Sequence, residues 1–147
     1  MTTSAAPAAP VTPTSPLISR YADVVISATR LIFGLAFAQH GAQKLLGWFA
    51  DPAKGGMQIP AGSLPWFAGV LELGGGLLLA VGLFARPVAF LLAGLMAVAY
   101  FMAHAPRGFW PILNKGEPAV LYCFAFLLLW AVGPGRYSLD ALLRRRR

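Results

Sequence analysis

Hydrophobic and polar positions divide the chain into a proline-rich start and four apolar segments. Residues 1–16 are almost entirely Ala, Pro, Thr and Ser, with prolines at 7, 10, 13 and 16 and no charged side chain. Such a composition buries no core, and the pattern predicts a disordered tail over residues 1–21. It has neither the basic start nor the apolar centre of a secretory signal, so no cleavage is expected. The apolar segments cover residues 23–48, 65–84, 87–104 and 118–132. At 1.5 Å per residue the first is ~39 Å of helix, longer than a ~30 Å hydrocarbon core, and the last is ~23 Å, short for a span.

Punctuation supports these limits. Pro65, Pro87 and Pro118 stand at helix starts, where a missing N–H is harmless. Asp51-Pro52, Pro106-Arg107-Gly108 and Gly133-Pro134-Gly135 break helix ends, and Trp48, Trp66 and Trp110 fall at span ends as interfacial aromatics do. The expectation is an all-α, four-helix transmembrane bundle in one domain over residues 22–142, with a basic tail at 143–147.

Composition narrows the class. The chain is 58% hydrophobic and 12% charged. A soluble domain carries about 25% charged residues, so an ordinary soluble globule is excluded. Cys123 is the single cysteine, which excludes an intrachain disulfide, a CxxC dithiol and a cysteine metal cluster. The net charge of +7 reads as topology once it is divided by position. Arg20, Arg86, Arg136 and Arg144–Arg147 fall on one side of the expected bundle, and Lys54, Arg107 and Lys115 on the other. The positive-inside rule then puts both termini in the cytoplasm. No aromatic-interleaved basic surface accompanies these charges, so nucleic acid is not an expected partner.

Ionisable residues inside spans are costly, and each is a functional candidate. His40 and Lys44 lie one turn apart on the first segment, Glu72 is on the second, His104 ends the third, and Asn114 and Glu117 open the fourth. Counting rise from the outer ends puts Lys44 at ~6 Å, Glu72 at ~10 Å and His40 at ~12 Å depth, a shared level. Gly34 and Gly41 share the Lys44 side, and Gly69, Gly75 and Gly76 share the Glu72 side, so these faces are expected to pack closely. The expectation is one near-neutral cluster of His40, Lys44, Glu72, His104, Asn114 and Glu117. It would hold a ligand or protons, or simply bind the helices together. Lys44 in the same place weighs against a bis-histidine haem on His40 and His104 and against a metal site. Arg30 lies near the opposite end, and its expected partner is Asp140 in a structural ion pair.

In order along the chain, Arg30-x-x-x-Gly34, His40-Gly41-x-x-Lys44, Glu72-x-Gly74-Gly75, Asn114-x-Gly116-Glu117 and Gly133-Pro134-Gly135-x-x-Ser138-Leu139-Asp140 resemble the DoxX family of bacterial membrane proteins. The resemblance covers about residues 22–142 and implies a four-helix bundle in the bacterial inner membrane. It also implies an association with membrane oxidoreductase systems, since the family takes its name from a subunit linked to thiosulfate:quinone oxidoreduction and a terminal quinol oxidase. From the resemblance come a quinone as the cofactor to consider, and the bilayer, redox-complex subunits or further copies of the chain as partners. The motif positions Arg30, His40, Lys44, Glu72, Asn114 and Glu117 carry over as candidate site residues. The functional expectation is a quinone-interacting or partner-docking subunit; the alternatives are a small-solute or proton carrier and a structural or assembly protein without chemistry.

Overall fold

A computed structural model of the chain describes residues 16–49 and 59–145, and all its regular elements are helical. The expected tail over residues 1–15, the Asp51-Pro52 break with Lys54, and Arg146 and Arg147 lie outside the described residues. Helix α1 (Pro16–Leu46) has 31 residues and begins ahead of Asp23, so residues 16–21 are helix where the pattern placed tail. Pro16 suits a first helical position, and lengthening a formed helix needs no new nucleus.

Helix α2 (Leu64–Val81) opens on Ser63, whose extended backbone lets its Oγ accept from the Trp66 amide at 3.4 Å. It stops at Gly82, left-handed at φ 73°, three residues short of the expected limit at 84. Helix α3 (Ala85–Ala99) runs into a π-helical turn at Tyr100–His104 and a 3-10 turn at Ala105–Arg107. A short α4 (Pro111–Asn114) then leads into α5 (Glu117–Val132), and α6 (Leu139–Arg145) follows the Gly133-Pro134-Gly135 turn.

Three stretches, Arg20–Leu46, Leu64–Val81 and Ala85–Arg107, are long and apolar enough to cross a membrane. The 16 residues of α5 span ~24 Å, less than a full hydrocarbon core. No more than 28% of each long stretch is buried in the bundle, and Val25, Ile32, Phe90, Leu121 and Phe124 all point outward. An apolar exterior around buried charges is the arrangement a lipid solvent favours.

Helix α1 packs mainly on α2 and α3 mainly on α5; the pairs join along α2–α3, while α1 and α5 touch sparsely. Backbone approach governs the first pair. A Cβ on Gly34 would come within 2.6 Å of the Ala80 nitrogen, and one on Gly76 within 2.7 Å of the Ala38 nitrogen and the Gly34 oxygen. Any side chain there forces the helices apart. The predicted close face is therefore present at Gly34, Gly41, Gly69 and Gly76, whereas Gly75 turns toward Leu92 of α3. Phe37, Leu79, Leu92 and Phe126 form the fully buried centre, with the Phe37 and Phe126 rings edge to face at 4.9 Å.

Candidate functional site

Where α1 and α5 part, a groove of about 170 Å³ is lined from all four long helical segments. Phe37, His40 and Lys44 come from α1 and Glu72 from α2; Met96, Ala99 and His104 come from α3 and its π turn; Pro118, Ala119 and Tyr122 come from α5. The groove thus holds four of the six predicted cluster residues, set in an apolar wall.

Lys44 and Glu72 meet because the glycine seam brings α1 against α2. The Lys44 stem crosses Gly69, where an added Cβ would lie 3.1 Å from the Lys44 Cβ. Its ammonium donates to Glu72 Oε1 at 2.5 Å, the ion pair present among the described residues. Glu72 is 3% exposed and Lys44 is partly open. The second carboxylate oxygen, Oε2, is buried and has no hydrogen-bond partner. A buried acceptor left unpaired costs on the order of 1–3 kcal/mol, so a small turn of the carboxylate that brought Oε2 to a donor in the groove would relieve that cost.

The imidazoles flank that pair differently. His40 stands edge-on to the Tyr122 ring at 5.9 Å and to the Phe37 ring at 6.4 Å, and its nitrogens have no partner among the described residues. His104 Nδ1 lies 3.1 Å from the Asn114 carbonyl oxygen. A carbonyl only accepts, so Nδ1 carries the proton and Nε2 is the free nitrogen of the ring. The π turn places His104 there, since one extra residue per turn rotates the chain end relative to a regular α3.

Asn114 and Glu117, predicted as cluster members, are not lining residues. Asn114 is fully engaged in its own loop: Nδ2 donates to the Gly108 carbonyl at 2.7 Å and to the Tyr100 hydroxyl at 3.4 Å, and Oδ1 accepts from the Gly116 amide at 2.8 Å. It orients His104 from behind. Glu117 is exposed in the first turn of α5, where a carboxylate complements the helix dipole. Tyr122, Phe37 and Met96 complete the groove without having been predicted. Tyr122 follows Pro118 by one helical turn, so a tyrosine inside an apolar segment was the available signal.

Arg30 forms a second polar centre toward the other end of the bundle, ~15–21 Å along α1 from His40 and Lys44. The predicted ion pair with Asp140 is replaced by two separate arrangements. The guanidinium donates from Nε to Pro134 O at 3.0 Å, from Nη1 to Leu79 O and Ala80 O at 2.6 and 2.5 Å, and from Nη2 to Tyr137 O at 2.8 Å. Leu79 and Ala80 lie in the last turn of α2, whose carbonyls carry the negative end of the dipole; Leu79 O also accepts the capping amide of Gly82 at 3.0 Å, so Arg30 adds a second donor to it. Asp140 instead accepts from the Phe84 and Ala85 amides, each at 2.9 Å, capping the start of α3. Among the described residues no three His, Cys, Asp or Glu side chains converge as metal ligands.

Comparison with known proteins identifies the family of this sequence. The DoxX family model matches residues 25–105, from α1 through the turns that end α3. An uncharacterised protein of Haemophilus influenzae is 37% identical over 84% of this chain and 93% of its own length. The inner membrane protein YqjF of Escherichia coli is 28% identical over 84% of this chain and 95% of its own. No solved structure matches. With the family model spanning more than half of the sequence and a relative matched along nearly all of its length, the chain belongs to the DoxX family.

Proposed function

We propose that the groove takes a quinone-type head group, and that the chain serves a bacterial inner-membrane oxidoreductase system as a quinone-interacting or partner-docking subunit. The unpartnered Oε2 of buried Glu72, whose other oxygen holds the Lys44 ammonium in a groove that His40 and His104 also line, carries this reading. At about 170 Å³ the groove is smaller than the ~300–1,000 Å³ of sites that enclose a whole drug-sized ligand. It suits one substituted ring, with an isoprenoid tail lying outside along the apolar helix faces. A quinone would supply a two-electron, two-proton couple there. Lys44 and His40 would donate hydrogen bonds toward a carbonyl oxygen and favour negative charge on it, and the Glu72 carboxylate and the His40 ring would exchange protons with the head group. Phe37, Met96 and Ala119 exclude water from the ring.

The inner membrane named for the Escherichia coli relative is the location we infer, with both termini cytoplasmic from the arginines at that end. The test is binding of a short-tailed quinone analogue to the full chain in mild detergent. Wild type is expected to bind and to melt at higher temperature with ligand, and His40→Ala and Glu72→Gln to lose at least about tenfold in affinity, the effect of one lost charged hydrogen bond. No binding by wild type, or equal binding by Glu72→Gln, refutes it. A second reading rests on the Lys44–Glu72 contact itself, which joins α1 to α2 and would need no ligand. In that case a folded Glu72→Gln variant restores growth of a deletion strain fully.

A further inference from the structure

At the Arg30 end, three exposed arginines from separate elements converge on one concavity. Arg20 comes from α1, Arg136 from the turn after α5 and Arg145 from the end of α6, and with Tyr137 they line about 410 Å³. This space shares Arg136, Tyr137 and Arg145 with a second hollow of about 320 Å³, whose wall adds Val81, Leu139 and Leu142. Those three side chains are 48%, 39% and 47% exposed.

Arginines outnumber the carboxylates at this end, and none of the three forms an ion pair among the described residues. Asp140 directs both oxygens at the α3 amides while its charge acts on Arg30, and Asp23 stands three residues from Arg20 on α1. Arg30 adds a further buried positive charge whose Nη2 donates to the Tyr137 carbonyl. Like charges gathered in a concavity raise its potential and favour an anion. Guanidinium groups match phosphate oxygens in pairs. Position identifies which phosphate: Arg20 begins the apolar stretch of α1, so the concavity lies at the bilayer boundary, and the adjoining wall is apolar. A free phosphate has no use for that wall, whereas an amphiphile covers both parts.

We propose that this site holds the phosphodiester head group of an anionic glycerophospholipid, with an acyl chain along Val81, Leu139 and Leu142. Basic pockets beside membrane helices recognise such head groups. It is distinct from the groove and stands whether or not quinone binds there.

The test uses the full chain, delipidated in neutral detergent, with bound lipid read by native mass spectrometry. Phosphatidylglycerol, cardiolipin and phosphatidylcholine of equal chain length are each titrated, with inorganic phosphate as competitor. The anionic lipids are expected to bind at least about tenfold more tightly than phosphatidylcholine. Arg136→Gln is expected to lose roughly fivefold and Arg20→Gln/Arg136→Gln about thirtyfold, with Arg136→Lys retaining most of the affinity. Arg144→Gln, outside the concavity, serves as the control and stays at wild type. Because these side chains are exposed, the melting temperature without lipid is unchanged. Equal binding of phosphatidylcholine, full competition by phosphate, or an equal loss in Arg144→Gln overturns the proposal; the last outcome would mean diffuse attraction by the basic end.

Discussion

Arg30 and Glu72 are both charged and both 3% exposed, yet the bundle treats them in opposite ways. Four carbonyls from α2 and the turn after α5 accept from Arg30, and its donors are used at every nitrogen. Glu72 has one oxygen on Lys44 and the other on nothing. The contrast separates two reasons for placing a charge inside an apolar bundle. A saturated charge fixes a shape, because every alternative leaves several carbonyls and a guanidinium unpaired at once. A half-saturated one retains an interaction for something else. Depth and charge alone do not tell these apart; the count of partners does.

Substitutions at the two centres test that contrast, beginning with the largest effect. Arg30→Ala removes the hydrogen bonds that tie four carbonyls of two segments together and should cost about 3–5 kcal/mol, the range for breaking a buried charged network. In thermal melts it should yield little folded protein, and Arg30→Lys should fare nearly as badly, since one ammonium offers three donors in a different geometry. A near-native melt for either would end the view of Arg30 as a lock.

Gly76→Ala acts on both centres together. Its Cβ would press on backbone atoms of Ala38 and Gly34, one turn from Glu72, and the expected cost is about 1–3 kcal/mol with weaker analogue binding. Loss of stability with binding intact would show that the seam and the groove are uncoupled. Asp140→Ala removes the acceptor of two amides at the start of α3 and should cost about 1 kcal/mol, measured by the same melts. Asp140 acts on Arg30 through its charge without touching it, so the Arg30→Ala/Asp140→Ala double variant should show only modest coupling, under about 1 kcal/mol; strong coupling would restore a direct pair. Glu72→Gln should change stability least, by under about 1 kcal/mol, because Lys44 is partly open and can turn toward the surface. Its effect should fall on ligand binding.

Much of the groove is legible in the sequence. His40 and Lys44 on one helical face, and Glu72 among glycines on the facing helix, follow from spacing, and the seam they imply is the one that forms. Asn114 and Glu117 share the same level and polarity but face a loop and the exterior. Level along the bundle follows from residue counting. Rotation of a helix end about its axis does not, and here a π turn and a left-handed Lys115 (φ 60°) set it.

The sequence by itself determined the helices, their approximate ends, their apolar exterior and the polar residues they must hide, because periodicity, proline and glycine act over a few neighbours. The tertiary structure decided what those residues do. Backbone carbonyls occur at every position and leave no mark in a sequence, so the four that hold Arg30 could be found only once α2 and the turn after α5 had folded against α1. The free oxygen of Glu72 is likewise a property of packing: it exists because nothing on the four surrounding helical segments reaches it.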